Sequence, residues 1–296
     1  MAPPYGPLAA FGASVSWAYA TTRYTRAARE VGSTRVNFAR VLVAFPTFAL
    51  IALARGRSLS EGFDASRLGW LLLSVLSSYA LADSVFFVAA ARVGVTTALS
   101  IASVYPLWAA LFGTIADGEP LGPLRLAGMA LAICGVVWLV RERGDGADGP
   151  ARRRVGVGLL LSALTSLLWA ANSVAVKRAS TDLDTLTVNA VRYGLALVLL
   201  GPQLRIARAK GLPSRPAHGW RPLLPAIVAD AVVGSSCYVY GLSHTDLAVG
   251  ATLSALAPVI SAPVAIHAGE ERWNARRFAA VMLTVAGVSV LVSARA

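Results

Sequence analysis

Residues 14–40 read SVSWAYATTRYTRAAREVGSTRVNFAR, and residues 166–192, at a constant shift of 152, read SLLWAANSVAVKRASTDLDTLTVNAVR. Aligned without a gap, the two stretches share scarce residues: Ser14 with Ser166, Trp17 with Trp169, Arg26 with Arg178, Asn37 with Asn189 and Arg40 with Arg192. The same shift later pairs Pro106 with Pro258 and Gly135 with Gly287. Coincidence of tryptophan, asparagine, arginine and proline at one shift indicates an internal repeat.

The composition is that of a membrane protein. Of the 296 residues, 56% are hydrophobic and 14% are charged, whereas roughly a quarter of the residues of a soluble domain are charged. A helix needs about 20 mostly apolar residues to cross a bilayer. Ten apolar runs of this kind are present: 7–24, 36–53, 68–91, 96–116, 124–140, 155–176, 186–206, 223–242, 247–267 and 278–292. We therefore expect an all-α integral membrane protein with ten transmembrane helices, located as a multi-pass protein in the inner or plasma membrane.

The repeat and the spans together predict the domain organisation. The predicted units are a first five-helix repeat at residues 1–144, a linker at 145–154 and a second five-helix repeat at 155–296. Because five is an odd number of spans, the second copy must enter the membrane from the opposite side. The sequence thus predicts inverted repeats, an arrangement common in secondary transporters.

Other classes of protein lack support in the sequence. The net charge of +12 does not indicate nucleic-acid binding, because the basic residues are spread through the gaps between apolar runs. His218, His244 and His267 form no His-Glu-x-x-His array, and no phosphate loop or Gly-x-Ser-x-Gly elbow is present. We expect no catalytic residues, no metal site, no cofactor and no enzymatic activity. The alternative, a multispan membrane enzyme or sensor, should gather His, Asp, Ser or Cys at the membrane interface.

Four ionisable residues stand out inside the predicted spans: Arg40, Asp83, Arg192 and Asp230. A charge inside a bilayer costs about 2.5–3.5 kcal/mol on insertion scales and marks a functional site by default. Inversion of the second copy places both acids and Arg40 in one half of the membrane and Arg192 in the other. We expect these residues to bind substrate or to act in charge pairing and gating. The alternatives are packing for the acids and snorkelling to the interface for the arginines.

The two acids are not counterparts in the repeat, which aligns Asp83 with Ser235 and Asp230 with Ser78. Arg40 is the expected counter-ion of Asp83. The run around Asp230 offers no cation, so Asp230 is the expected site of proton exchange, or of binding to an amino group of the substrate.

Polar-tipped and aromatic residues complete the predicted site. Trp17 and Trp169 lie on the polar stripe of the first helix of each copy, with hydroxyls three and four residues away. The full set predicted to bind substrate is Trp17, Tyr19, Asp83, Tyr105, Trp169, Asn172, Asp230 and Tyr238. Pro106 and Pro258, expected in the middle of the fourth and ninth spans, are predicted hinges. Plain packing of the rings and static kinks at the prolines are the alternatives.

These features together resemble the EamA type of the drug/metabolite transporter superfamily. The resemblance rests on the tryptophan of each first helix, the Asn-x-x-Arg of each second helix (residues 37–40 and 189–192), and the proline of each fourth helix. A glutamate follows the fourth helix, at Glu119 in the first copy and at Glu270 or Glu271 in the second.

The resemblance implies a central cavity lined mainly by the first, third and fourth helices of each copy. It implies a secondary transporter, working by alternating access, that exports a small polar metabolite such as an amino acid. The lipid bilayer and the small-molecule substrate are its expected partners. Proton-coupled and facilitated transport both stay open, as does the oligomeric state. The orientation is also open, because the loop charges favour both termini outside and the resemblance favours both inside.

Overall fold

The computed structural model describes residues 5–117, 122–144, 149–209, 211–245, 247–267, 269, 272 and 274–293. Every regular element within these residues is helical. The α-helices are α1 (Tyr5–Val31), α2 (Ser33–Ala54), α3 (Ala65–Val75), α4 (Asp83–Val93), α5 (Val95–Ala102), α6 (Tyr105–Asp117), α7 (Pro123–Gly144), α8 (Gly149–Ser180), α9 (Thr185–Ala209), α10 (Leu224–Ile227), α11 (Ser235–Ser243), α12 (Leu247–Ser254), α13 (Ala257–His267) and α14 (Ala275–Ser293). A 3₁₀ turn, Arg221–Leu223, precedes α10.

Six helices in the described ranges are long and apolar enough to cross a membrane. They are Ser33–Ala54, Ala65–Val93, Val95–Phe112, Arg153–Ser180, Thr185–Arg205 and Arg221–Ser243. These six correspond to the second, third, fourth, sixth, seventh and eighth predicted spans. Two shorter apolar helices, Leu126–Trp138 and Val249–Ser261, lie in the fifth and ninth predicted spans. The first and tenth predicted spans lie within α1 and α14.

The local structure follows the sequence repeat. Five pairs of helices begin 152 residues apart: α2 and α9, α4 and α11, α5 and α12, α6 and α13, and α7 and α14. The same shift relates two π-helical segments, Leu76–Ala82 between α3 and α4 and Val228–Gly234 between α10 and α11. Such segments are rare and often occur at functional sites. Each of them contributes polar side chains to the cavity described below.

The fourth and ninth predicted spans differ from the expectation of one helix with a proline in its middle. The helix is interrupted after α5 and again after α12. Pro106 and Pro258 are the second residues of the helices that follow, α6 and α13. The first turn of a helix has N–H groups without intrahelical acceptors, so a proline there sacrifices no hydrogen bond. The two prolines therefore begin new helical segments and do not kink continuous ones.

The junction between the two halves is more helical than predicted. Helix α8 begins at Gly149, so residues 149–154 of the predicted linker are part of that helix. Residues 145–148 lie outside the described part of the chain, as do Glu119, Glu270 and Glu271.

Helices α7 and α14 pack closely at two glycines that correspond in the repeat. A Cβ atom added at Gly287 would collide with the backbone of Ala132, and one added at Gly135 would collide with Thr284. Ala132 and Thr284 are themselves 152 residues apart, so the contact is reciprocal. Small residues at such crossings let helix backbones approach each other in membranes.

We expect Gly287→Ala to destabilise the protein, because its methyl group would force α7 and α14 apart. Overpacking of this kind costs about 1–3 kcal/mol. The melting temperature of the purified protein in detergent measures the effect. Gly69→Ala is the control, since a Cβ at Gly69 meets nothing within 4 Å. Equal melting temperatures for the two variants would contradict the tight crossing.

Helix α9 begins with a capped turn outside the apolar spans. The carboxylate of Asp184 accepts hydrogen bonds from the Thr187 backbone N–H at 3.0 Å and from the Thr187 hydroxyl at 2.9 Å. Partial burial opposes the charged form of Asp184, but these hydrogen bonds, with Arg55 at 3.2 Å, outweigh it and lower the pKa of the carboxyl. This is the arrangement of a helix N-cap.

Asp184→Ala should therefore cost about 0.5–2 kcal/mol of stability at neutral pH. Since the pKa is lowered on folding, the stabilisation is present above the ordinary carboxyl pKa of about 3.9 and is lost as the pH falls through the folded value. Melting curves of the wild type and the variant should converge in acid. A difference that is constant from neutral to acidic pH would exclude the carboxylate as its source.

Candidate functional site

One cavity between the helices gathers most of the residues that the sequence singled out. Its lining includes seven of the eight residues predicted to bind substrate, together with the two arginines that the sequence singled out: Trp17, Arg40, Asp83, Tyr105, Trp169, Asn172, Arg192, Asp230 and Tyr238. These residues come from both halves of the chain. The cavity therefore lies where the two halves meet.

Tyr19 is the predicted residue that the cavity lining does not include. It lies two residues after Trp17 on α1, and that offset points its side chain to another face of the helix. Its side chain is 37% exposed, and the guanidinium of Arg23 lies 4.0 Å from its ring centroid. The structure places Tyr19 on an outer surface of the bundle.

The centre of the cavity is a buried charge cluster in which one arginine serves two acids. Nε of Arg40 donates to Oδ2 of Asp230 at 2.8 Å. An NH1 hydrogen of the same guanidinium is bonded to Oδ2 of Asp83, as the sequence predicted. The expectation that Asp230 has no cation is wrong. A guanidinium presents five N–H donors on more than one edge, so pairing with Asp83 leaves Nε free for Asp230.

Tyr24 is a member of this cluster that the sequence reasoning missed. Its hydroxyl lies 3.0 Å from Oδ2 of Asp230 and 3.1 Å from the carbonyl oxygen of Ala226. The guanidinium of Arg40 lies 5.1 Å from its ring centroid, a cation–π distance. A signal was available, because Tyr24 follows Trp17 by seven residues and continues the same helical stripe.

The two acids are held unequally. Asp230, with a side chain only 4% exposed, has close bonds to Arg40 and Tyr24. Asp83 is 13% exposed, and its other oxygen has only a long contact of 3.4 Å from Nε1 of Trp169. Of the two carboxylates, Asp83 is the one with more freedom to exchange its partners.

Arg192, the repeat counterpart of Arg40, has a different environment. It is 1% exposed, and its three guanidinium nitrogens donate to neutral groups: Nε to Ser74 at 3.1 Å, NH1 to Asn189 at 3.3 Å and NH2 to Asn172 at 3.3 Å. Within the described ranges, no carboxylate oxygen comes within salt-bridge distance of it.

The two arginines share a scaffold. Asn37 accepts from NH1 of Arg40 at 3.1 Å, as Asn189 does from NH1 of Arg192. The Asn-x-x-Arg pattern thus places the amide oxygen one helical turn before the guanidinium that it holds. The ring of Tyr79, on the first π segment, lies between the arginines, with its centroid 5.7 Å from Arg40 and 5.5 Å from Arg192. Sequence reasoning missed Tyr79 because it weighed charge and the repeat, and Tyr79 has neither signal.

Aromatic rings form the apolar walls. The centroids of Trp17 and Tyr238 are 5.0 Å apart, and those of Tyr105 and Trp169 are 6.3 Å apart. The Tyr238 hydroxyl accepts from Nδ2 of Asn172 at 3.1 Å. Tyr105 donates its own hydroxyl to the backbone carbonyl of Ala251 at 2.7 Å. The cavity therefore combines apolar walls with a few oriented polar groups, as small-molecule sites do.

A metal centre has no candidate ligands in the described part of the chain. There, no group of three or more His, Cys, Asp or Glu side chains is close enough to hold an ion. The described side chains of the cavity form charge pairs, hydrogen bonds and aromatic contacts.

Comparison with known proteins agrees with these features. The EamA-like transporter family matches the chain twice, over residues 4–141 and 156–293. Two proteins of Archaeoglobus fulgidus, each named an uncharacterized transporter, are similar. One is 26% identical over 188 residues, which is 64% of this chain and 64% of that protein. The other is 25% identical over 263 residues, which is 88% of each.

A solved crystal structure shares the fold. It aligns with a TM-score of 0.70 at 22% sequence identity, covering 96% of this chain and 94% of that one. At this identity the likeness concerns the fold alone. The family match spans nearly the whole sequence, and several apolar helices accompany it. The chain belongs to the EamA-like transporter family and is a multi-pass membrane transporter.

Proposed function

We propose that the protein is a secondary transporter that exports a small polar metabolite, such as an amino acid, by alternating access to its central cavity. The observation that carries this proposal is the buried cluster of Arg40, Asp83 and Asp230 inside a cavity shared by both halves. Ionisable groups at such depth mark substrate or ion pathways in membrane proteins.

The architecture that we propose is ten transmembrane helices in two inverted repeats, residues 1–144 and 155–296. Residues 145–154 connect the two repeats. Three observations support it. The family matches each half separately, helices begin at positions 152 apart, and Gly135 and Gly287 make reciprocal contacts between α7 and α14. Repeats of this kind place the substrate site at their interface, where the cavity lies.

Substrate binding is assigned to the residues that line the cavity: Trp17, Asp83, Tyr105, Trp169, Asn172, Asp230 and Tyr238. The aromatic walls suit an apolar part of the substrate, and the acids suit an amino group. The helix interruptions before Pro106 and Pro258 are the proposed hinges. They interrupt the helical hydrogen bonding next to Tyr105, which lines the cavity, and at the corresponding position between α12 and α13. Hinge motion at these breaks would open the cavity to one side of the membrane at a time.

Coupling to protons is proposed from the charge balance of the cluster. Two carboxylates share one guanidinium, so the cluster carries one excess negative charge when both acids are ionised. In a buried site that charge favours uptake of a proton or of a cationic amino group. Asp83 is the proposed exchanging acid, because it is the more exposed of the two and its second oxygen has only the long contact with Trp169.

Flux measurements distinguish this proposal from the alternative of a multispan enzyme or sensor. We expect purified protein in proteoliposomes to move at least one member of a panel of labelled amino acids, nucleosides and sugars, without changing it chemically. Empty liposomes provide the control. Chemical turnover of a solute or lipid, with no flux across the panel, would favour the enzyme.

Asp83→Asn tests the coupling. The amide cannot exchange a proton, while Arg40 keeps Asp230 as its partner. If Asp83 exchanges a proton, we expect accumulation driven by a pH gradient to fall by roughly tenfold or more, and counterflow exchange at equal pH to stay within about twofold of the wild type. If Asp83 binds the amino group of the substrate, counterflow exchange should fall as well. Both rates are measured in proteoliposomes with the substrate found by the panel.

Two further variants complete that experiment. Asp230→Asn weakens bonds to both Arg40 and Tyr24, so exchange and melting temperature should fall together. Asp64→Asn is the matched control, because Asp64 caps α3 at the exposed surface. Gradient-driven accumulation by Asp83→Asn at the wild-type level would show that the transporter is a facilitator or is coupled elsewhere.

A further inference from the structure

The repeat relates two arginines that differ in their counter-ions. Arg40 has Asp83 and Asp230. At the shift of 152 residues, Asp83 corresponds to Ser235 and Asp230 corresponds to Ser78, just as Arg40 corresponds to Arg192. Both serines line the cavity, as Arg192 does. In the repeat, hydroxyl side chains thus stand at the positions that correspond to the carboxylates paired with Arg40.

The charge of Arg192 is permanent, because a guanidinium does not lose its proton in proteins. Its neutral partners, Ser74, Asn172 and Asn189, supply dipoles but no negative charge. A buried cation without a counter-ion is strongly unfavourable. The oxygen atoms around it are also shared, since Oδ1 of Asn172 accepts from Ser74 at 2.7 Å as well. Among the residues that the structure describes, Arg192 has no carboxylate partner, so an anion entering the cavity would meet a cation held only by neutral groups.

We propose that Arg192 is the carboxylate-binding group of the transport site, so that the transported metabolite carries a carboxylate. This inference rests on the proposed function and specifies the substrate class. The carboxylate occupies the side of the cavity lined by Ser78 and Ser235, where it supplies the negative charge that Arg40 obtains from Asp83 and Asp230.

The charges of the whole cavity favour a carboxylate over a phosphate. Arg192 is one cation flanked by neutral groups, and a guanidinium pairs with a carboxylate through two parallel hydrogen bonds. A phosphate dianion would add a second negative charge to a cavity in which Arg40 is already shared by two acids. A zwitterion leaves the cavity balanced, with its carboxylate at Arg192 and its amino group at Asp83.

Arg40 and Arg192 are close enough for one small molecule to reach the surroundings of both. The distances of both guanidinium carbons to the Tyr79 ring place them no more than about 11 Å apart. The side chain of Asp83 extends towards the cavity from one end. Trp17 and Tyr238 lie beside the Arg192 network, through the bond between Asn172 and Tyr238, and offer apolar surface for the rest of the molecule.

Ser235→Asp tests the inference by giving Arg192 an internal carboxylate. Oγ of Ser235 donates to Asn189 at 2.9 Å, the same amide oxygen that accepts from Arg192, so an aspartate there is adjacent to the guanidinium. The control is Ser236→Asp, which adds the same charge one residue later. Ser236 lines an outer groove and not the cavity.

The probes are acid and amide pairs: benzoate and benzamide, leucine and leucinamide, phenylalanine and phenylalaninamide. Their binding is measured as thermal stabilisation of purified protein in detergent. We expect the wild type and Ser236→Asp to be stabilised by at least one acid and by its amide much less. For Ser235→Asp the dissociation constant of that acid should rise roughly tenfold or more. The unliganded melting temperature of Ser235→Asp should equal or exceed that of the wild type.

Several results would overturn the inference: no stabilisation of the wild type by any acid, equal stabilisation by acids and amides, or equal acid affinity in Ser235→Asp. Ser78→Asp, the other repeat position, replaces Ser235→Asp if that variant does not fold. The proposed function fails separately. Acid binding without flux in proteoliposomes would retain the carboxylate site and reject transport, whereas flux of amines and amides alone would retain transport and reject the site.

Discussion

The guanidinium of Arg40 is the constraint on which the centre of the protein depends. It is buried on α2, and its two acids come from different halves of the chain, Asp83 at the start of α4 and Asp230 on the second π segment. Removing one partner from a buried ion pair typically costs 3–5 kcal/mol, so this contact fixes how the halves meet around the cavity. Asn37 and Tyr24 add hydrogen bonds that orient the charged groups. The cavity lies where the buried guanidinium of Arg40 is neutralised by carboxylates from both halves.

The frame around this cluster is close to symmetric, but its chemistry is not. Four features occur at corresponding positions of both halves: the first residues of helices, the π segments, the helix interruptions before the prolines, and the Asn-x-x-Arg scaffold. The acids occupy only the positions around Arg40, and serines occupy the corresponding positions around Arg192. In the inverted-repeat architecture that we propose, a symmetric backbone would allow two equivalent conformations of opposite orientation. Because the side chains around the two arginines differ, a molecule bound in the cavity would be held in one orientation.

The sequence identified most of the singled-out residues that line the cavity, but not their contacts. The ionisable residues within apolar runs were readily identified, because charge is costly there, and the shared location of Arg40 and Asp83 followed from the repeat. The second partner of Arg40 did not follow, since a sequence does not show which edges of a guanidinium are occupied. Tyr19 was grouped with Trp17 by proximity along the chain, although a helix turns it to another face. Pro106 and Pro258 lie in the predicted fourth and ninth spans, but only the backbone shows that they begin new helical segments.

The π segments bear on what the two halves share. A π turn holds one more residue than an α turn, and such a residue is an insertion relative to a regular helix. The two segments, Leu76–Ala82 and Val228–Gly234, correspond without a gap in the alignment of the halves. Both halves therefore carry the extra residue at the same position of the repeat. Asp83 and Asp230 lie next to and within these segments but have no acidic counterparts, so the two halves share the backbone irregularity and differ in the charge placed on it.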